Sequence, residues 1–321
     1  MLVCALVLGY AFPSHPFKGW VHSVFHHAIN IRQEDGALIT LVTASEDDLP
    51  QGARLNGPPG LNFLETGATP GQRVVCWEWQ VRWDALPLQV DLHTAKTWCC
   101  NFSYLPDTGE ASIQSEALKL ILNLLEEHSL REPAGLHPGM LTGVHLTTES
   151  ALNHRAGEVM HDLIHATRLG RAIPEKSIQQ LVGLGPGLTP SGDDFLVGFL
   201  AGLWGNSVHH PHRRDFTLQL GRVICSTAHE QTGEISYTYL FHAARGQFSR
   251  RLFELVRLLF IGAPGEQVLH AARAVLSGGH TSGRDMLIGL LAGLIPWGQA
   301  PIFPPDLLAN LFIKESFHDD C

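Results

Sequence analysis

One apolar segment occurs twice in this chain, and that duplication constrains the fold more than any other feature. Ser191 to Leu203 reads SGDDFLVGFLAGL, and Ser282 to Leu294 reads SGRDMLIGLLAGL, with nine identities in thirteen ungapped positions. Gly187-Leu188-Thr189 upstream matches Gly279-His280-Thr281 if Pro190 is a single-residue insertion. Each copy is a polar glycine loop set against a run that the chain must bury. Gly198 and Gly202 are four residues apart, as are Gly289 and Gly293. A glycine inside a helix costs about 1 kcal/mol against alanine, so these positions need a reason. Close approach of two helices through small faces supplies one. We therefore expect the two helices to cross in the core, related by a pseudo-twofold axis that brings their loops together.

Around this pair the chain reads as α+β: a mainly-β domain over residues 1–107, then a mainly helical domain over 108–321. In the first part, WVHSVFHHAINI and ALITLV are β-branched runs separated by Gln33-Glu34-Asp35-Gly36, with an Asp-Gly turn signal. RVVCWEWQVRW (Arg73 to Trp83) alternates as a strand, and LQVDLHTAKTWCCNF follows it. The Gly/Pro-rich stretch between, QGARLNGPPGLNFLETGATPGQ, reads as exposed turns. The N-terminal MLVCALVLGY has no basic n-region and no well-placed cleavage site, so it reads as a strand rather than a signal peptide. Beyond residue 107 the period becomes helical. Ile113, Leu118, Ile121, Leu122 and Leu125 form one stripe. Further helices are expected over ESALNHRAGEVMHDLIHATRL (149–169), closed by Gly170, from Pro174 to about 184, and over 190–204, 214–228, 233–245, 248–260, 265–276 and 283–295.

Composition narrows the function classes. The net charge of −9 offers no basic stripe for a phosphate backbone, which argues against nucleic acid. No apolar run approaches the roughly 18 residues of a membrane span. The six cysteines have no CxxC pair and read as reduced thiols in a cytoplasmic protein.

The loops carry the candidate chemistry. A helix N-terminus leaves unpaired N–H groups and a partial positive charge, which attract anions. Thr189 is a suitable N-cap and Pro190 suits the first helical position. Gly183, Gly185 and Gly187 let the backbone approach a ligand. There is no Gly-Lys-Ser/Thr ending, so the loop is not a Walker A loop. Asp193 reads as an acid that complements the helix dipole. Asp194 has an equivalent in Asp285. Facing carboxylates could hold a divalent cation such as Mg²⁺, act as acid and base, or orient the opposite loop's hydroxyls. His280 is the best-placed histidine, as proton carrier or as helix cap. His161 and His165 lack an HExxH pattern and read as a solvated face, His209, His210 and His212 as a loop, and His26 and His27 as strand neighbours on opposite faces. Thr232 and Ser236 share a helical face within reach of the loops, or bond back to their own backbone.

GPGLTPSGDD, ISYTYLFHAARGQF and GHTSGRDMLIGLLAGL, in this order, resemble the AllH-like family. SVFHHAINI followed by DGALITLV is similar to its N-terminal signature, so the resemblance runs from about Gly19 to Trp297. It implies a subunit of an oxamate carbamoyltransferase in anaerobic allantoin breakdown, working with partner subunits. The implied reaction is oxalurate plus phosphate giving oxamate plus carbamoyl phosphate. The resemblance carries over Gly187, Thr189, Ser191, Asp194, Ser236, His280, Thr281, Ser282 and Asp285 without assigning the chemistry among them, and on side-chain type Asp194, His280 and Asp285 are the expected catalytic residues. Gly185, Gly187, Thr189, Ser191, Gly192, Ser236, Thr281, Ser282 and Gly283 are those expected to bind substrate. The chain has Gly192 where the namesake carries a histidine, and adds the tail PIFPPDLLANLFIKESFHDDC. It has no Ser-Thr-Arg-Thr motif of ordinary carbamoyltransferases. Two other readings stand beside this one: a Mg²⁺-dependent phosphoryl-transfer or ligase-type enzyme, and a non-catalytic assembly subunit.

Overall fold

The structure is a computed structural model, and it describes residues 1–84, 86–106, 115–142, 151–170 and 172–297. Ile113, the expected domain boundary at 107/108 and the C-terminal tail lie outside the described residues. The chain forms two compact units. The first comprises Met1–Cys100 with Gln247–Arg251, and the second comprises Asn101–Gly246 with the chain from Leu252 onward. The architecture is α+β, a strand barrel followed by a helical region.

Among the described residues the first unit has nine strands: β1 Leu2–Gly9, β2 Phe17–Val24, β3 Ala28–Gln33, β4 Leu38–Val42, β5 Gly52–Asn56, β6 Arg73–Trp77, β7 Gln80–Trp83, β8 Gln89–Asp91 and β9 Lys96–Trp98. Their order is β5-β4-β3-β2-β6-β7-β8-β1-β9, and an added β5–β1 pairing closes eight of them into a ring. Closure removes exposed edges. Alternation decides the inside: Val3, Ala5 and Val7 of β1 are buried, whereas Leu2, Cys4 and Leu6 face out. Ile29, Ile31, Leu41 and Val74 join them in the core. Register shifts in β1 and β2 mark bulges, which let a short-stranded barrel curve.

Three sequence expectations are corrected here. The stretch read as exposed turns contains β5, which is mostly buried and pairs with both β1 and β4. RVVCWEWQVRW is a hairpin of β6 and β7 rather than one strand, because Glu78 (φ 49°) and Trp79 (φ 57°) turn the backbone through the left-handed region. His26 and His27 lie in the turn between β2 and β3, not on a strand.

The second unit contains ten described helices: α1 Ser115–Arg131, α2 Gly139–Thr142, α3 Ala151–Leu169, α4 Glu175–Leu181, α5 Ser191–Ser207, α6 Pro211–Gln231, α7 Glu234–Ala243, α8 Arg250–Phe260, α9 Gly265–Leu276 and α10 Ser282–Leu294. α8 straddles the division, since its first two residues belong to the first unit. Every residue of α5 is buried, which places it at the centre of this unit, as expected of a helix that is apolar all round.

α5 and α10 cross through their glycines. A β-carbon built on Gly198 would lie 1.9 Å from the Met286 carbonyl oxygen, and one on Gly289 would lie 2.0 Å from that of Phe195. Phe195 and Met286 are equivalent in the two copies, so these contacts mirror each other. The same holds one turn on, where Gly293 faces the Phe199 carbonyl oxygen at 2.2 Å and Gly202 faces that of Leu290 at 2.8 Å. The duplicated helices are thus related by the expected pseudo-twofold axis. No side chain fits between them.

Candidate functional site

The pseudo-twofold axis fixes what happens at the N-terminal ends of α5 and α10. Gly192 and Gly283 begin the two helices hard against the segments before them: a β-carbon would lie 2.0 Å from the Leu181 carbonyl oxygen in one copy and 2.2 Å from that of Val275 in the other. Each loop then turns through glycines in the left-handed region, Gly183, Gly185 and Gly187 in the first and Gly279 in the second. Neither Thr189 nor Thr281 caps its helix with a side-chain hydrogen bond, contrary to the reading of Thr189 as N-cap. Thr189 is turned across the axis instead, and its Oγ1 lies 2.9 Å from Oγ of Ser282.

The two loops meet around Asp194 and Asp285. Asp194 takes hydrogen bonds from Ser282 of the opposite copy and Thr189 of its own. Asp285 takes the mirror set, Ser191 and Thr281, and also the backbone N–H of Leu136 at 2.8 Å. Both side chains are almost fully buried, and Oδ2 of each has no hydrogen-bond partner. Burial pushes the Asp194 carboxyl up to about 8, against the pull of the Ser282 and Thr189 hydroxyls and with added repulsion from Asp285 and Asp193. Burial raises Asp285 only to about 6, because Ser191, Leu136, Arg284 and Thr281 all favour its anion. Two carboxyls pushed apart in this way can serve at neutral pH as a proton donor and a charged acceptor.

The expected site residues fall into three groups. Thr189, Ser191, Asp194, Thr281, Ser282 and Asp285 come together, with Gly185 packed on Ser191, where a β-carbon would lie 3.1 Å from its backbone nitrogen. Gly187 and His280 lie on the exposed rims of the loops. The His280 side chain is 72% exposed, and its Nε2 lies 3.7 Å from the Glu132 carboxylate. Ser236 is engaged elsewhere, donating to Oδ2 of Asp193 at 2.6 Å.

That last bond exposes a residue whose role the sequence reading understated. Asp193 is buried and accepts from the Gly183 N–H at 2.8 Å, from Thr232 and from Ser236. It ties the first loop to the C-terminal end of α6 and to α7, well beyond a dipole role. Ser236→Ala should cost about 1–3 kcal/mol, the usual penalty for removing one donor from a buried acceptor. A urea unfolding curve checks this, and a midpoint equal to wild type would refute the tie.

The equivalent position in the second copy is Arg284, which the sequence reading passed over. Its side chain is 1% exposed. Nη1 donates to the Glu132 carbonyl oxygen, while Nε and Nη2 have no hydrogen-bond partner. Nε lies 4.0 Å from Oδ1 of Asp285, beyond hydrogen-bond reach. A signal was available in the repeat, since this is a position where the two copies carry opposite charges.

Among the described residues no group of three or more His, Cys, Asp or Glu side chains is placed to hold a metal ion. A guanidinium beside Asp285 also opposes a dication at the Asp194–Asp285 pair. His161 bonds through Nε2 to the Met140 carbonyl at 3.0 Å, and His209 to that of Leu105 at 2.7 Å, so both serve packing. No helix among the described residues is long and apolar enough to cross a membrane.

Residues 181–294 match the family model described as oxamate carbamoyltransferase subunit AllH, and residues 4–97 match that of the AllH family N-terminal domain. The first match spans both copies of the repeat and the whole twin-loop site. No solved structure matches the chain.

Proposed function

The chain belongs to the AllH family, described as an oxamate carbamoyltransferase subunit, and we propose that its twin loops form the site where the small anions of that reaction bind and react. The observation that carries this reading is the Asp194–Asp285 pair, two buried carboxyls with unpartnered oxygens at converging helix N-termini. Nothing in the fold needs those oxygens bare. A ligand with N–H groups would satisfy them, and the helix ends and loop N–H groups would favour its negative charge.

The reaction is oxalurate plus phosphate giving oxamate plus carbamoyl phosphate, in allantoin breakdown, with partner subunits completing the enzyme. A phosphate oxygen attacks the ureido carbonyl carbon, and the C–N bond to the oxamate nitrogen breaks. The leaving nitrogen needs a proton as it departs. Asp194, held protonated at neutral pH, supplies it, and the proton carried in by phosphate restores the acid. Asp285 stays charged and holds the transferred carbamoyl group through its N–H₂. Thr189, Thr281, Ser191 and Ser282 line the same space with hydroxyls that orient the reactants. His280, on the rim, is the residue that meets incoming anions. Arg284 beside Asp285 makes this reading the stronger one over Mg²⁺-dependent phosphoryl transfer.

A thermal-shift panel on the purified chain tests the reading. Phosphate, carbamoyl phosphate, oxamate and oxalurate are each titrated with and without Mg²⁺. At least one anion should raise the melting temperature without needing Mg²⁺, because a ligand that prefers the native state stabilises it. Asp194→Asn should weaken the shift by oxalurate, whose N–H groups face that oxygen. Shifts that appear only with Mg²⁺ would favour the metal-dependent alternative, and none at all would favour an assembly role.

A further inference from the structure

The two copies of the repeat differ in how they satisfy the residue after the first glycine of each helix. Asp193 has three donors, which answer both of its oxygens. Arg284 has one acceptor and two bare nitrogens, in a place where water does not reach it. Buried donors left without an acceptor are costly even on a guanidinium that has a carboxylate 4.0 Å away. The pseudo-twofold site is therefore chemically one-sided.

The bare atoms are specific ones. Nε and Nη2 form the side-on edge of a guanidinium, whose two N–H bonds run parallel and match the two oxygens of a carboxylate. The remaining nitrogen, Nη1, is the one tied to the Glu132 carbonyl, which fixes the group's orientation. Gly135 (φ 84°) lies over this edge. A β-carbon there would sit 2.5 Å from Nη2, 3.0 Å from Oδ1 of Asp285 and 3.0 Å from Cβ of Thr281. Gly135 thus packs its backbone directly onto the point where guanidinium, carboxylate and loop threonine converge, and even a methyl group would not fit there without a shift. The Glu132–Leu136 segment covers the edge, held by the Nη1 bond and the Leu136 N–H bond to Asp285.

We propose that Arg284 is the carboxylate anchor of the site, so that the site selects small ligands carrying a carboxylate directly beside an amide. This rests on the reading of the twin loops as the substrate site and adds what that site recognises. The ligand's carboxylate docks on the Nε/Nη2 edge, and its amide N–H₂ reaches the bare Oδ2 atoms of Asp194 and Asp285. The Glu132–Leu136 segment shifts to admit it and re-forms its contacts over the bound molecule.

Calorimetric titration of the full chain with oxamate and with oxamide, its neutral diamide, tests the anchor. Wild type should bind oxamate at least about tenfold more tightly than oxamide, the margin of a charge-assisted hydrogen bond. Arg284→Met should bind both with the weaker affinity. Its melting temperature without ligand should fall below wild type while melting stays cooperative, since Asp285 loses the guanidinium beside it and the Glu132 carbonyl loses its donor. Should Arg284→Met fail to fold, Arg284→Lys keeps the charge without the fork: it should retain phosphate binding and lose the preference for oxamate. Either variant keeping that preference would overturn the anchor. Equal binding of oxamate and oxamide by wild type would overturn it while leaving the twin-loop site standing. Binding of neither by wild type would overturn both.

Discussion

Gly198→Leu and Gly289→Leu should each abolish folding of the helical unit. Both glycines face backbone rather than flexible side chains: the nearest atoms to a β-carbon are the carbonyl oxygens of Met286 and Phe195, at 1.9 and 2.0 Å. A side chain there cannot move its neighbour aside without separating α5 from α10. Overpacking that side chains can absorb costs about 1–3 kcal/mol. Parting two central helices loses much more, against a total stability of only about 5–15 kcal/mol for a typical domain. Far-UV circular dichroism and solubility of the expressed variants check this. A soluble, cooperatively melting Gly198→Leu/Gly289→Leu double variant would refute the crossing. Gly36→Ala is an informative control, because its β-carbon would meet nothing within 4 Å and only the positive φ opposes it.

Asp194→Asn should change how stability depends on pH. The fold holds the Asp194 carboxyl near 8, above its ordinary value of 3.8, so the folded state prefers the neutral acid. For an acid raised in this way, stability is fully present below the unfolded pKa and is lost as pH rises through the folded one. Wild type should therefore weaken progressively from about pH 4 to pH 8, by on the order of a few kcal/mol. Asp285, raised to about 6, adds a smaller loss over the lower part of that window. Asn keeps the shape and cannot ionise, so the variant should be more stable than wild type at pH 8–9 and nearly equal to it at pH 4. Urea midpoints across this range measure the difference. Parallel curves would show that Asp194 is charged in the fold at neutral pH. The same protonation governs the chemistry assigned to Asp194, so turnover by the assembled enzyme should fall as pH rises through about 8.

The two effects differ in how far the sequence announced them. The crossing was legible because its cause is the chain's own repetition, with glycines at matched positions. Two helix starts were legible for similarly local reasons: α7 and α9 begin at or near Gly233 and Pro264, as turn chemistry dictates, whereas α6 begins at Pro211, inside the stretch expected to be a loop. β5 was hidden because Gly52-Ala-Arg-Leu-Asn56 contains no β-branched residue, and its pairing comes from the barrel's closure. The β6–β7 hairpin was hidden because Trp77-Glu78-Trp79 carries none of the glycine or asparagine that usually marks such a turn. Asp193 and Arg284 were misjudged or missed because their significance lies in partners dozens of residues away. Asp193 is filled by Thr232 and Ser236, and Arg284 donates to the Glu132 carbonyl. Local pattern places a charge on a helix face, but only tertiary packing decides whether that charge is answered.

The central claim is that the paired loops at the ends of α5 and α10 hold a small anionic substrate between Asp194 and Asp285. A crystal structure of the full chain grown with oxamate tests it most directly. The account predicts electron density for the ligand against Arg284 and the Asp194–Asp285 pair, with the Thr189 and Ser282 hydroxyls beside it. A well-ordered oxamate bound elsewhere in the chain, with the Thr189–Ser282 contact and the Leu136–Asp285 bond unchanged, would contradict it.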